Sequence, residues 1–402
     1  GFSYRLYSPK GEFTDKLTDG ITKDDINLNG IGQFSFVAPV RLKGHPWVFN
    51  FNYNLTNDFT SKERALVDLE SGFSPDFFLE DHGYLRAYNF GLSTRIYEKL
   101  SMGFNLNVYD GRRVYSTNQF STRDSILNPL YPESTTVRID THGSSLDSTT
   151  SSGFNIAFGT LYKTSKLGVG LVVQTPFKMK HTTQRAFFNL TSLNGQPDLN
   201  SSDTIYVVDS IAKQDIPVSG TIGLAYAVQN NLHVTMDVNY QKYGGTSWYY
   251  RTVTTFTAGG DRSDVFAQEP INWNDSYGIG LGLEFVDSTK FGKIPVRCGF
   301  RADFLPEPKN ITYSRDTVRA SVGGVNNVLL TSTTLSSSDR QKTMAFSLGT
   351  GIHWSLIQLD IAYRYTFGGE MVLTNKGNDV ANTVQTTKRK AHELKCTFTG
   401  YF

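Results

Sequence analysis

Residues 388–402 read Lys-Arg-Lys-Ala-His-Glu-Leu-Lys-Cys-Thr-Phe-Thr-Gly-Tyr-Phe, and their alternation decides the fold. Leu394, Cys396, Phe398, Gly400 and Phe402 fall on one side of an extended chain, and Glu393, Lys395, Thr397, Thr399 and Tyr401 on the other. A period of two is that of a strand, because successive side chains point to opposite faces. One apolar and one polar face call for a hydrophobic medium on one side only. With phenylalanine as the last residue of the apolar face, that medium is expected to be lipid.

Working back from this end, the alternation recurs in pairs of segments joined by very short links. Residues 341–354 place Met344, Phe346, Leu348, Ile352 and Trp354 on one face, and residues 356–367 place Leu359, Ile361, Tyr363, Tyr365 and Phe367 there. Further pairs are 275–286 with 293–304, 216–228 with 231–241, 153–163 with 166–179, 86–97 with 100–109, and 31–42 with 46–55. With a leading segment at residues 2–8 and the terminal strand, the spacing predicts fourteen strands. The links between pairs (9–30, 56–85, 110–152, 180–215, 242–274, 305–340 and 368–387) are long and polar. Alternating short and long links are the pattern of membrane barrels with short periplasmic turns and longer extracellular loops. The expectation is an all-β, antiparallel transmembrane β-barrel, a single domain over residues 1–402 in the bacterial outer membrane, with both termini periplasmic.

Composition agrees with a barrel. Aromatic residues make up 13% and glycines number 36, yet mean hydropathy is only −0.31. No apolar run reaches the ~18 residues of a membrane helix, and polar lumen residues cancel lipid-facing ones in such an average. A net charge of +2 gives no reason to expect a nucleic-acid partner. Cys298 and Cys396 fall within predicted strands and read as small lipid-facing residues. Residue 1 is a glycine with no charged-then-apolar leader after it, so the chain reads as starting beyond a signal peptide.

Several stretches invite a chemical reading. Asp25, Asn27, Asn29 and Gly30 imitate the start of a calcium loop, but Phe36 stands where a bidentate glutamate is needed, so neither metal nor cofactor is expected. Thr141, His142, Gly143 and Ser144 set a histidine near serines; in a long Ser/Thr-rich loop without a fixed frame they make no catalytic centre. Arg95, His233, Asp237, Glu284, Arg297, Arg301, Asp303, His353, Asp360, Arg364 and Lys395 alternate into the lumen. Carrying both signs, they are expected to pair across strands and stiffen the wall. In the link after the third strand, Thr60 and Glu63 form a capping box, residues 62–70 read as a short helix carrying Ala65, Leu66 and Leu69, and Phe73, Phe77, Phe78 and Leu79 follow. So many apolar residues in one loop point to self-packing, a partner or a hydrophobic ligand. Prolines 39, 176, 217 and 295 mark places where a ladder hydrogen bond must be missing.

Four stretches in order, LGVGLVVQTPFKMK (167–180), IPVSGTIGLAYAVQNNLHVTMDVNYQKY (216–243), residues 273–285 and IPVRCGFRADFLPEP (294–308), resemble the FadL/TodX family of outer-membrane transporters. The final strand, with Phe402 at its end, resembles the C-terminal strand of bacterial outer-membrane barrels, whose last aromatic belongs to the signal read by the barrel assembly machinery. The family resemblance implies a fourteen-stranded barrel plugged by an N-terminal hatch. Such a barrel takes long-chain fatty acids or aromatic compounds and releases them sideways into the membrane lipid. Residue 1 lies almost on the first strand, so that hatch is expected upstream of this chain. The resemblance also leaves open a second role, a docking barrel in a secretion or assembly complex with other outer-membrane proteins. Trp248, Tyr249 and Tyr250 and the rings of residues 73–78 would suit such an interface.

Overall fold

A computed structural model describes the chain outside residues 1, 16–20, 26–27, 43–44, 59–60, 67–75, 127–135, 194–195, 198–205, 257–261, 271–272, 291, 323–324, 378–382 and 402. The described residues form 21 strands. They are β1 (Phe2–Asp15), β2 (Ile21–Asp25), β3 (Leu28–Leu42), β4 (His45–Asp58), β5 (Ser61–Leu66), β6 (Asp76–Tyr97) and β7 (Leu100–Ile126). Next come β8 (Thr136–Lys163), β9 (Leu167–Gln174), β10 (Phe177–Leu193), β11 (Gln196–Pro197), β12 (Tyr206–Ile216), β13 (Ser219–Gln229) and β14 (Leu232–Gln241). The last are β15 (Ser247–Phe256), β16 (Arg262–Pro270), β17 (Ser276–Thr289), β18 (Gly292–Val322), β19 (Val325–His353), β20 (Ile357–Gly377) and β21 (Thr383–Gly400).

Antiparallel pairing runs through β1, β3, β4, β6, β7, β8, β9, β13, β14, β17, β18, β19, β20 and β21, fourteen wall positions among the described residues. β21 then pairs with β1, from Phe2 opposite Phe398 upward, so the order returns to its start. The start of β1 and the end of β21 therefore stand at the same end of the wall as the short turns. At the other end β20 leaves β19 after the left-handed Gly368 and Gly369 (φ 103° and 66°) and runs parallel to β18 over Asn310–Arg315.

The long links are not the loops that their polarity suggests. β7 and β8 stay paired from Leu100 opposite Tyr162 to Ile126 opposite Thr136, and β18 with β19 from Lys293 opposite His353 to Val322 opposite Val325. Most of 110–152 and 305–340 is therefore strand. Threonine-rich polar sequence suits a ladder wetted on both faces, and the hairpin partner takes the backbone groups of one strand edge. The helix expected over 62–70 is overturned in its described part, up to residue 66: β5 covers Ser61–Leu66 and pairs with β6, Ala65 opposite Phe77 and Glu63 opposite Leu79. A helix of two turns is marginal alone, whereas β6 offers a ready edge.

Alternation sets the two faces of the wall. Phe104, Phe154, Phe158, Ile222, Leu281, Phe346 (52% exposed), Leu348 (64%), Ile361 (44%) and Phe398 (44%) look outward, away from the rest of the protein. Cys298 and Cys396 are exposed, free thiols on the same face. The buried apolar residues among those described are Ala87, Ala157, Ala345, Ala391 and Met179. Such small residues do not build a packed interior. The apolar surface lies outside, where only lipid covers it.

Candidate lumen site and wall seam

The inward face of β14, β17, β18, β19 and β20 carries a connected ionic network. Arg297 on β18 donates to Glu284 of β17 (2.5 Å) and to Asp360 of β20 (2.6 Å), and the His353 ring lies 3.0 Å from Asp360. Arg301, two inward steps further along β18, donates to Asp237 and Asn239 of β14 (2.9 and 2.8 Å) and to Asp303 (2.9 Å). The glycines of β17 make this possible: a Cβ on Gly278 or Gly280 would collide with the carboxylates of Asp303 and Asp237. Asp237, Gly280, Glu284, Arg297, Arg301 and Asp360 line a cavity of about 510 Å³ together with Arg364, which stands opposite Ser347 of β19. Lys395 of β21 donates across to Gln33 of β3 (3.4 Å). Arg95 is apart from the network, exposed near the short-turn end of β6 opposite Ser101.

The facing arc uses carboxamides instead of charges. Asn52, Asn89, Asn107 and Asn155 stand side by side on β4, β6, β7 and β8, with Asn89 donating to Asn107 (2.6 Å) and Asn107 to Asn155 (2.7 Å). At the long-strand end of this arc Arg113 pairs with Asp81 (2.5 Å) and Arg185 with Asp147. The Oδ1 atoms of Asn50 and Asn52 are buried without a partner among the described residues.

Above the amide ladder the inward face turns apolar. Tyr109 of β7 and Phe177 of β10 stack at 5.1 Å with planes 7° apart, and Met179 is buried beside them. Gly153 of β8 permits the overlap, since a Cβ there would sit 2.8 Å from the Phe177 ring and 3.2 Å from the Met179 sulfur. The sequence signal for this ledge was available: Tyr109 follows Asn105 and Asn107 on the otherwise polar face of β7.

The ledge borders a seam. β9 stops at Gln174 and β10 resumes at Phe177, while β12 stops at Ile216 and β13 resumes at Ser219; the ladder has Phe177 opposite Ile216 and Gln174 opposite Ser219. Thr175–Pro176 and Pro217–Val218 therefore interrupt neighbouring strands at one height. The interruption continues sideways between β14 and β15 and between β16 and β17. There Lys242 N–H reaches Val218 carbonyl at 3.3 Å, and Asp275 accepts from the Tyr240 hydroxyl (2.6 Å) and the Gly244 N–H (2.8 Å). These donors, the Tyr240 hydroxyl first, hold the Asp275 carboxyl below the usual carboxylate range. Pro39 sits within β3 opposite Val48, and Pro295 is fully buried in β18. Neither interrupts a strand.

Of the apolar residues expected to take a ligand, Leu66 ends β5, Phe77 is the second residue of β6 opposite Ala65, Phe78 is 37% exposed and Leu79 is half-buried. Leu69, Phe73 and the terminal Phe402 lie outside the described residues. His142 and Ser144, expected in a frameless loop, lie instead within β8, opposite Phe120 and Asn118 of β7. The His142 ring stacks on Phe120 at 4.2 Å. Paired on both sides, the polar stretch of β8 is a framed strand. No group of three metal-ligating side chains occurs among the described residues.

By sequence the chain matches no family model and no curated protein. By structure it is similar to a Pseudomonas aeruginosa FadL homologue, with a TM-score of 0.58 at 13% identity over 100% of this chain and 90% of that one. The chain has the fold of the FadL barrels. The Pseudomonas putida toluene transporter TodX is a further similar structure, with a TM-score of 0.53 at 12% identity over 100% of this chain and 89% of that one.

Proposed function

We propose that this FadL-type barrel is an integral protein of the bacterial outer membrane that passes hydrophobic small molecules, fatty acids or aromatic compounds, passively from the cell surface. In this reading the short-turn end faces the periplasm and the molecule leaves sideways into the membrane, with no chemistry performed on it. The carrying observation is the apolar ledge of Tyr109, Phe177 and Met179 placed directly beside the double interruption at Pro176 and Pro217. A hydrophobic solute gains by leaving water for such a surface, and a wall lacking ladder bonds is the easiest place for it to pass. The fold shared with a toluene transporter supports the same reading. The ionic network on the other side of the bore suits a wall that stays shut. The apolar residues Leu66, Leu69, Phe73, Phe77, Phe78 and Leu79 are proposed as an outer contact on the way in.

Uptake of radiolabelled toluene or oleate by cells expressing the chain tests this. Phe177→Ser and Gly153→Val should each lower uptake about ten-fold, equivalent to ~1.4 kcal/mol, while the barrel keeps its heat-modifiable mobility. Uptake of every tested compound unchanged in both variants would sink the ledge as the path.

A further inference from the structure

The outward face above the apolar band holds a row of cations that the uptake reading does not use. Following the ladder sideways, Arg86 of β6 stands opposite Asp110 of β7, Asp110 opposite Ser152 of β8, Ser152 opposite Lys180 of β10, and Lys180 opposite Lys213 of β12. Arg112 is one outward step above Asp110, and Lys178 one below Lys180. Immediately below the row lie Tyr53, Tyr88, Val108 and Phe154, the upper edge of the lipid-facing surface. Aromatic rings at that edge mark headgroup level.

Lys180 and Lys213 are exposed, directly opposite each other, and in no ion pair among the described residues. Like charges so placed are about 5 Å apart at Cβ and destabilise the ladder unless something lies between them. Arg112 is exposed and equally without an acid among the described residues. Arg86 lies over Tyr84, 3.6 Å from the ring centre, and its Nε is buried without a partner among the described residues. Lys178 has Asp215 at 3.5 Å, so the acids of the patch are Asp110 and Asp215 against five cations. Across the bore the same level is arranged differently: Lys309 pairs with Glu370 at 2.8 Å, and Arg340 and Lys342 lie over Tyr277 and Phe304.

We propose that the outward row from Arg86 to Lys213 binds the phosphorylated headgroup of a membrane lipid whose acyl chains lie along Val108 and Phe154. Four strand spacings, roughly 19 Å, separate its ends, which is wide enough for a large headgroup. A phosphomonoester between Lys180 and Lys213 removes their repulsion, and the apolar surface directly below continues the contact to the chains. A soluble anion would gain the first and not the second.

The test uses the full chain in non-ionic detergent, with dioleoyl phosphatidic acid, dioleoyl phosphatidylcholine and inorganic phosphate as probes and native mass spectrometry as the readout. The chain should retain phosphatidic acid over phosphatidylcholine. Lys180→Gln with Lys213→Gln should lower that preference roughly twenty-five-fold at low salt, about five-fold per lysine, and added salt should weaken it in the unmodified chain. Lys180→Arg with Lys213→Arg should preserve it. Equal retention of the two lipids, an unaltered preference in the glutamine pair, or displacement of phosphatidic acid by millimolar inorganic phosphate would each overturn the proposal. Heat-modifiable mobility reports folding; should the glutamine pair fail to fold, Arg112→Gln with Arg86→Gln decides by the same comparison.

Discussion

The arc from β18 to β21 and the arc from β9 to β14 hold together by different means. In the first, strands run unbroken through the apolar band and charged side chains bridge them on the inside, Arg297 reaching both Glu284 and Asp360. In the second, the strands stop and restart at Pro176 and Pro217, and the inward face beside the break is the Tyr109–Phe177 stack. An unbroken ladder goes with the inner ionic network in the first arc, whereas at the seam the ladder is interrupted and single contacts such as Tyr240 with Asp275 and Lys178 with Asp215 cross it. The difference shows that one wall can be cross-linked by charges in one arc and interrupted in its backbone bonding in another, without any change of fold.

The largest expected effect sharpens this contrast from the lipid side. Phe346→Arg or Ile361→Arg, in the continuous arc, should cost roughly 2–4 kcal/mol in folding stability, whereas Val218→Arg at the seam should cost about 0–1, as expected near a headgroup boundary. Urea titration in lipid vesicles measures both, and equal costs would erase the distinction between the arcs. Next in size, Arg301→Gln should cost about 1–2 kcal/mol by leaving Asp237 and Asp303 without their donor. That is below a fully buried pair because Arg301 is 32% exposed. A double-mutant cycle with Asp237→Asn should return a coupling of the same sign; additive losses would mean that the network does not stitch the wall.

The smallest effect is at the seam and depends on pH. Asp275 has a lowered pKa in the folded protein, so its contribution is present above the unfolded carboxylate pKa, about 4, and is lost as pH falls through the lowered folded value. Asp275→Asn should therefore be slightly less stable than the parent at pH 7, and the two should converge on acidification below that range. A gap that persists undiminished at the most acidic pH would show that the carboxyl is not what joins Tyr240 to Gly244.

Much of the wall was legible because lipid asks little of a sequence. Any large apolar residue satisfies the outer face, so alternation survives at 13% identity to the FadL homologue, where no family model matches. The same tolerance explains the misreading of 62–70: a capping box is a local signal, and the edge of β6 that draws Ser61–Leu66 into a strand lies beyond it. The polar stretches around 110–152 failed for a related reason, since a two-sided polar strand shows no hydrophobic period to read.

The sequence by itself determined which segments cross the membrane, which face of each meets lipid, and that Arg297, Arg301, Glu284 and Asp360 point the other way, because side-chain direction follows from a period of two. Only the tertiary structure decided which of those charges touch, and that Pro176 and Pro217, far apart in sequence, interrupt adjacent strands at one height beside Phe177. Register between strands depends on the stagger of the whole ring and on bulges such as the one at Gly368, quantities that no single segment contains.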